Sequence, residues 1–166
     1  MITLVLGGAR SGKSAIAEGL LATTNTSVTY LATAEAGNDQ DFLDRVAQHQ
    51  RRRPREWRTI ECGADLVAAL TRIEGAILID SLGTWLAGWR DFKVDTGALI
   101  ETLGQCSSDV VIVSDEVGLG VHPSSNVGRA FRDALGSLNQ SVAERSDRVL
   151  LVVAGQVLTL KSEATQ

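Results

Sequence analysis

Short, almost unbroken apolar runs alternate along the chain with stretches in which apolar residues recur every three or four positions. The runs at 2–6, 76–79, 110–113 and 149–153 predict strands covered on both faces, as in parallel sheets. A β-rich run at 28–33 predicts another strand, 57–61 a short one, and 157–160 an edge strand. Helical spacing covers 13–22, 39–53, 63–72, 81–89, 96–106 and 126–145. In the 39–53 stretch Asp39 suits the N-cap, Phe42, Leu43 and Val46 form the apolar side, and Pro54 stops the helix. Polar segments at 33–38, 91–95 and 118–123 read as loops, and 161–166 as a loose tail. Strand and helix alternate without a repeat or a linker. The prediction is an α/β sandwich with a mostly parallel central sheet, one domain over residues 1–166. Ligands in such sheets meet the C-terminal ends of the strands.

The residues at the C-terminal end of each run are therefore the first candidates for chemistry. Directly after the first run stands GGARSGKS, residues 7–14. Gly7, four residues, then Gly12, Lys13 and Ser14 make the spacing of a Walker A phosphate loop, between a strand and a helix as the motif requires. Glycine lets the backbone wrap closely round a phosphate, and the freed N–H groups form an anion nest at a helix N-terminus. Lys13 is expected on the β- and γ-phosphates and the Ser14 hydroxyl on Mg²⁺. The run 76–79 ends in Asp80, a Walker B pattern whose carboxylate suits the same Mg²⁺. Asp115 and Glu116 end the next run and compete for that role, with Glu116 the preferred functional member. Only two histidines occur. On a helix His49 shares a face with Arg45 and Arg53, and Arg52 is close by. Such cations favour the neutral, nucleophilic imidazole and suit phosphates, but a solvated basic helix end explains the same residues. His122, before Pro123, reads as an ordinary surface histidine, and Arg129, Arg132, Asp133 and Arg145 as a solvated helix face.

Composition narrows the partners. A net charge of −4 argues against a nucleic-acid backbone as ligand. Cys62 and Cys106 form no CxxC pair and read as reduced thiols, which fits a cytoplasmic protein. The first apolar run is too short for a secretory h-region, and no run approaches the ~20 residues of a membrane span.

Taken together these residues resemble a known family. GGARSGKS, Tyr30-Leu31-Ala32-Thr33-Ala34, RVAQHQRRRPREW (45–57), Asp80 with Trp85, Glu116-Val117-Gly118-Leu119-Gly120 and GRAFRDALGSLNQ (128–140) look like the bifunctional adenosylcobinamide kinase / adenosylcobinamide-phosphate guanylyltransferase. The resemblance implies a RecA-like P-loop fold and a role in cobalamin biosynthesis. It implies phosphorylation of the aminopropanol hydroxyl of adenosylcobinamide with ATP or GTP, then transfer of GMP from GTP to that phosphate. In the family that transfer passes through a guanylylated histidine, and the position the resemblance matches to it is His49. By the same matching Gly7, Gly8, Ala9, Arg10, Ser11, Gly12, Lys13, Ser14, Ala32, Thr33, Ala34, Gln50, Arg51, Arg52, Arg53, Glu61 and Asp80 look like nucleotide and Mg²⁺ contacts. A homotrimer is implied as well. Asp115 stands where the family commonly has Asn, and His122 where it has Val. Residues 87–95 are short and lack an Asn often found after the Trp, so the departures lie on the substrate side. The rival readings are a simple small-molecule P-loop kinase without a covalent step, and a regulatory NTPase.

Overall fold

The computed structural model describes residues 1–34 and 54–162. The expected helix over 39–53 lies outside the described residues, as do 35–38 and the tail from 163. Seven strands form one sheet: β1 (Ile2–Gly7), β2 (Val28–Ala32), β3 (Arg58–Glu61), β4 (Ala76–Asp80), β5 (Val110–Asp115), β6 (Arg148–Val153) and β7 (Gln156–Lys161). Their order is β3-β2-β4-β5-β1-β6-β7. Every pairing is parallel except β6 with β7, which is antiparallel. The apolar runs became the interior strands because each is buried on both faces. Ile2, Leu4, Ile77, Ile79, Val110 and Ile112 pack on one side, and Val5, Ala76, Leu78, Val111 and Val113 on the other. That is the two-residue alternation of a pleated strand.

Helix α1 (Lys13–Ala22) covers the second face through Ala17 and Leu21. The first face is covered by α2 (Leu66–Leu70), α3 (Leu82–Ala87), α4 (Thr96–Gln105) and α5 (Asn126–Arg145). Side-chain caps start three of these helices. Ser81 accepts from the Thr84 N–H in a capping box, Asp95 from Ala98, and Ser125 from Gly128. In α5 the buried residues Leu135, Leu138 and Val142 fall at three- and four-residue steps, the stripe its sequence predicts.

The differences from expectation are local. The helix expected over 63–72 is a 3₁₀ turn, Gly63–Asp65, followed by the single short helix α2. Gly63 starts the turn at φ 48°, and Asp65, at φ −82° and ψ 27°, breaks the run before Leu66. The polar break at 91–95 opens with a tight turn over Arg90–Phe92, with Asp91 and Phe92 at positive φ, anchored by Phe92 edge-on to Phe131 of α5 at 5.3 Å. The run at 149–153 is β6, paired on both sides, and the expected edge strand at 157–160 is β7, which closes the sheet. A two-residue turn at Ala154-Gly155, both at positive φ, makes this hairpin.

Candidate nucleotide-binding site

Parallel pairing brings the ends of β1 to β5 out on one rim. Gly7 is level with Asp115, Asp80 with Ala32, and Ala32 with Glu61. The loop after β1 curls over this rim. Ser11 N–H donates to Gly8 O at 3.2 Å, and Ile16 N–H to Gly12 O at 3.1 Å. Two glycines are required by the geometry. A Cβ at Gly7 would stand 2.4 Å from Ser11 Oγ and 2.7 Å from Val152 O. Gly12 has φ 95°, where side chains are strained. Gly12 is also the N-cap of α1 and offers no side-chain acceptor, and no acid lies in the first turn. The N–H dipoles at this end therefore face outward without a built-in anion, which suits a phosphate.

Neighbouring strands brace the loop. Glu116 N–H donates to Gly7 O at 3.0 Å, and Gly155 N–H of the β6–β7 turn donates to Ser11 O at 2.8 Å. Ser11 is buried, Lys13 and Ser14 are half-buried, and Ala9 and Arg10 are exposed. Lys13 Nζ lies 3.3 Å from Gly8 O and 2.7 Å from Asp115 Oδ1.

Asp80 ends β4, two strands from β1, roughly 10 Å across the sheet. It has the parity of Ala76 and Leu78, so it belongs to the face that α1 covers. Its Oδ2 accepts from the Tyr30 hydroxyl at 2.6 Å. Thr33 is buried on the opposite face. Its Oγ1 donates to Ser81 O at 2.6 Å, accepts from Ser81 N at 2.9 Å and meets Thr84 Oγ1 at 2.7 Å. The strand end that carries Asp80 is thereby tied to the start of α3. Ala32 and Ala34 are half-buried beside it, and Glu61 is exposed at the end of edge strand β3.

The structure thus gathers Gly7 to Ser14, Ala32 to Ala34, Glu61 and Asp80 at one rim. His49 and Gln50, Arg51, Arg52 and Arg53 lie outside the described residues. The acids after β5 divide their tasks. Asp115 pairs with Lys13, whereas Glu116 turns onto its own loop and accepts from the N–H groups of Gly118 at 2.9 Å and Leu119 at 3.0 Å. Asn139 holds this corner from α5: Nδ2 donates to Asp115 O at 3.0 Å and Oδ1 accepts from Ser114 Oγ at 2.6 Å. Tyr30 and Asn139 lie in stretches that carry the resemblance, which assigns them no role, Gly155 lies in none, and strand order brings all three to the rim. His122 is exposed with Nδ1 2.8 Å from Arg132 Nη1, and Arg129 donates to Pro123 O at 2.8 Å. These two half-buried arginines bond to the 118–125 loop, while Asp133 of the same helix stays exposed.

Beside the rim, burial pushes the Cys62 thiol up, Asp65 adding a smaller push in the same direction. Cys106, near the opposite ends of the strands, is raised by burial too.

A glycine-rich loop between a central parallel strand and a helix, with a strand-end carboxylate one strand beyond its neighbour, defines an α/β P-loop nucleotide-binding fold. The type III secretion system ATPase of pathogenic bacteria superposes with TM-score 0.63 at 11% identity, over 90% of this chain and 50% of that one. The flagellar accessory protein FlaH of Methanocaldococcus jannaschii gives 0.55 at 13%, over 98% and 78%. More specifically, the family model for cobinamide kinase / cobinamide phosphate guanyltransferase matches residues 3–160, and the chain belongs to this family. It is 41% identical to the bifunctional adenosylcobalamin biosynthesis protein CobP of Pseudomonas aeruginosa, over 98% of this chain and 99% of that protein. It is 34% identical to the bifunctional adenosylcobalamin biosynthesis protein CobU of Salmonella typhimurium, over 97% and 100%.

Proposed function

We propose that this chain phosphorylates the aminopropanol hydroxyl of adenosylcobinamide with ATP or GTP, then transfers GMP from GTP to the resulting phosphate. The observation that carries the reading is the braced loop, with Lys13 at its end and Asp80 two strands away on the same rim, in a chain matched over nearly its whole length by the family model. The loop N–H groups and Lys13 bind the triphosphate and neutralise charge that develops on it. Among the described residues no three His, Cys, Asp or Glu side chains form a metal cage. A hydroxyl and one carboxylate suit Mg²⁺, which keeps waters and takes phosphate oxygens. Ser14 and Asp80 would hold it, and it would supply charge neutralisation at the phosphates. Tyr30 and the Thr33–Ser81–Thr84 network orient the Asp80 strand end. The remaining rim groups, Ala32 to Ala34 and Glu61, line the nucleotide.

The kinase step needs the hydroxyl in line with the γ-phosphorus. In the second reaction the His49 imidazole attacks the α-phosphorus of GTP. A P–N bond forms and pyrophosphate leaves with the electron pair. An oxygen of adenosylcobinamide phosphate then attacks that phosphorus, the P–N bond breaks, and the imidazole returns neutral. Gln50, Arg51, Arg52 and Arg53 accompany His49 in sequence, and the three arginines supply cations for these phosphates. The assembly is a homotrimer. An exposed edge strand supports a covering partner: Val157, Leu158 and Leu160 of β7 all face solvent in the single chain. No helix among the described residues is long and apolar enough to cross a membrane, in keeping with a cytoplasmic enzyme.

Mass spectrometry of the corrinoid tests the reading. With ATP alone adenosylcobinamide should gain one phosphate, and with added GTP a GMP unit beyond it. Nucleotide hydrolysis with an unaltered corrinoid would instead favour a regulatory NTPase. Phosphorylation without GMP transfer would leave a simple kinase.

A further inference from the structure

Lys13 makes an ion pair within the chain. Its Nζ is 2.7 Å from Asp115 Oδ1, and the two side chains are only 13% and 34% exposed. Asp115 cannot easily retreat. Its residue is in register with Gly7 in β5, its carbonyl is held by Asn139, and a Cβ added at Gly83 would meet its Oδ2 at 2.6 Å. A β- or γ-phosphate that recruits Lys13 must therefore arrive beside a held carboxylate of its own sign. Phosphate and Asp115 compete for one ammonium.

We propose that Asp115 is a positioning residue that holds Lys13 between turnovers and yields it to the polyphosphate. It thereby sets affinity for triphosphates and speeds release of phosphorylated products. The proposal rests on the reading of Lys13 as the β,γ-phosphate ligand. When a product carrying those phosphates loosens, Asp115 recaptures Nζ and the way back is closed. A nucleotide with only an α-phosphate does not recruit Lys13, so it does not feel the exchange.

The test is a double-mutant cycle read by equilibrium binding and stopped-flow release. The probes are a non-hydrolysable GTP analogue and GMP. The proteins are the unaltered chain, Asp115→Asn, Lys13→Ala and the double variant. Asp115→Asn should bind the analogue about tenfold tighter and release it correspondingly slower, with GMP affinity unchanged. In the Lys13→Ala background the gain should disappear. Asp115→Ala, which cannot rebuild a hydrogen bond to Lys13, should show the same tightening, and it serves if the Asn variant folds poorly. Unchanged or weaker binding in both Asp115 variants overturns the proposal. Equal tightening for GMP does so too, because it marks general charge removal rather than exchange. If Lys13→Ala itself binds the analogue as well as the unaltered chain, the reading of Lys13 fails as well. If it binds poorly while the Asp115 variants gain nothing, the exchange alone fails.

Discussion

At the scale of single residues the site divides into groups visible in a motif and groups visible only in space. Lys13 and Ser14 are legible because a phosphate loop is contiguous and its chemistry fixes the spacing. Asp80 is legible because four apolar residues and an acid mark a buried strand reaching a rim. The preference for Glu116 over Asp115 has no such support, because which carboxylate meets Lys13 depends on register between β1 and β5. Tyr30 is equally hidden, fifty positions from the carboxylate it supports. Tyr30→Phe should remove that bond and cost roughly 1.5 kcal/mol of stability, seen in a denaturant melt. It should also raise the Mg²⁺ concentration needed for half-maximal activity. Cys62 gives a pH prediction. Its thiol is pushed up by burial, so the folded state prefers the protonated form. The associated stability is present below the unfolded thiol's range and is lost as pH rises through the folded value. Alkylation of Cys62 in the native protein should be slow at neutral pH, with a midpoint above that of the same residue in urea. A midpoint at or below the unfolded one would contradict the burial account.

At the scale of elements, the strands and the long helices follow their periodicity closely. Helices α1 and α5 span the residues their patterns mark, because buried stripes and polar boundaries agree there. The short helices α2 and α3 are less legible. Their starts are set by the non-helical Asp65 and by the capping box at Ser81, which are local backbone decisions rather than periodic ones. That capping box also has a functional consequence, since Thr84 shares its hydroxyl with Thr33 beside the Asp80 strand end. Thr84→Val should destabilise the fold by about 1–2 kcal/mol and lower nucleotide affinity in step. A loss of stability with unchanged affinity would separate the cap from the site. The phosphate loop is more stringent. Gly7→Ala drives a methyl group into Ser11 and the Val152 carbonyl, so triphosphate binding should fall well over tenfold even where the protein stays folded.

At the scale of the whole molecule, the alternation of strands and helices announces a parallel α/β sandwich, and pairing order does the rest. Placing β5 between β1 and β4 sets the loop and Asp80 two strands apart, and no local pattern encodes that order. The exposed apolar edge of β7 belongs to this scale too. Sedimentation should give about three times the 17.6 kDa chain mass, and Leu158→Lys should shift it towards the single chain. A single-chain mass for the unaltered protein would remove the trimer from the account. The central claim is that the loop holds a triphosphate while His49 takes its GMP. Incubation with GTP labelled at the α-phosphate measures it directly. The account predicts acid-labile label on the unaltered chain, none on His49→Ala, and discharge on adding adenosylcobinamide phosphate. A chain that turns over the corrinoid to its GDP form without ever carrying label, or a His49→Ala variant that still carries it, would contradict the account.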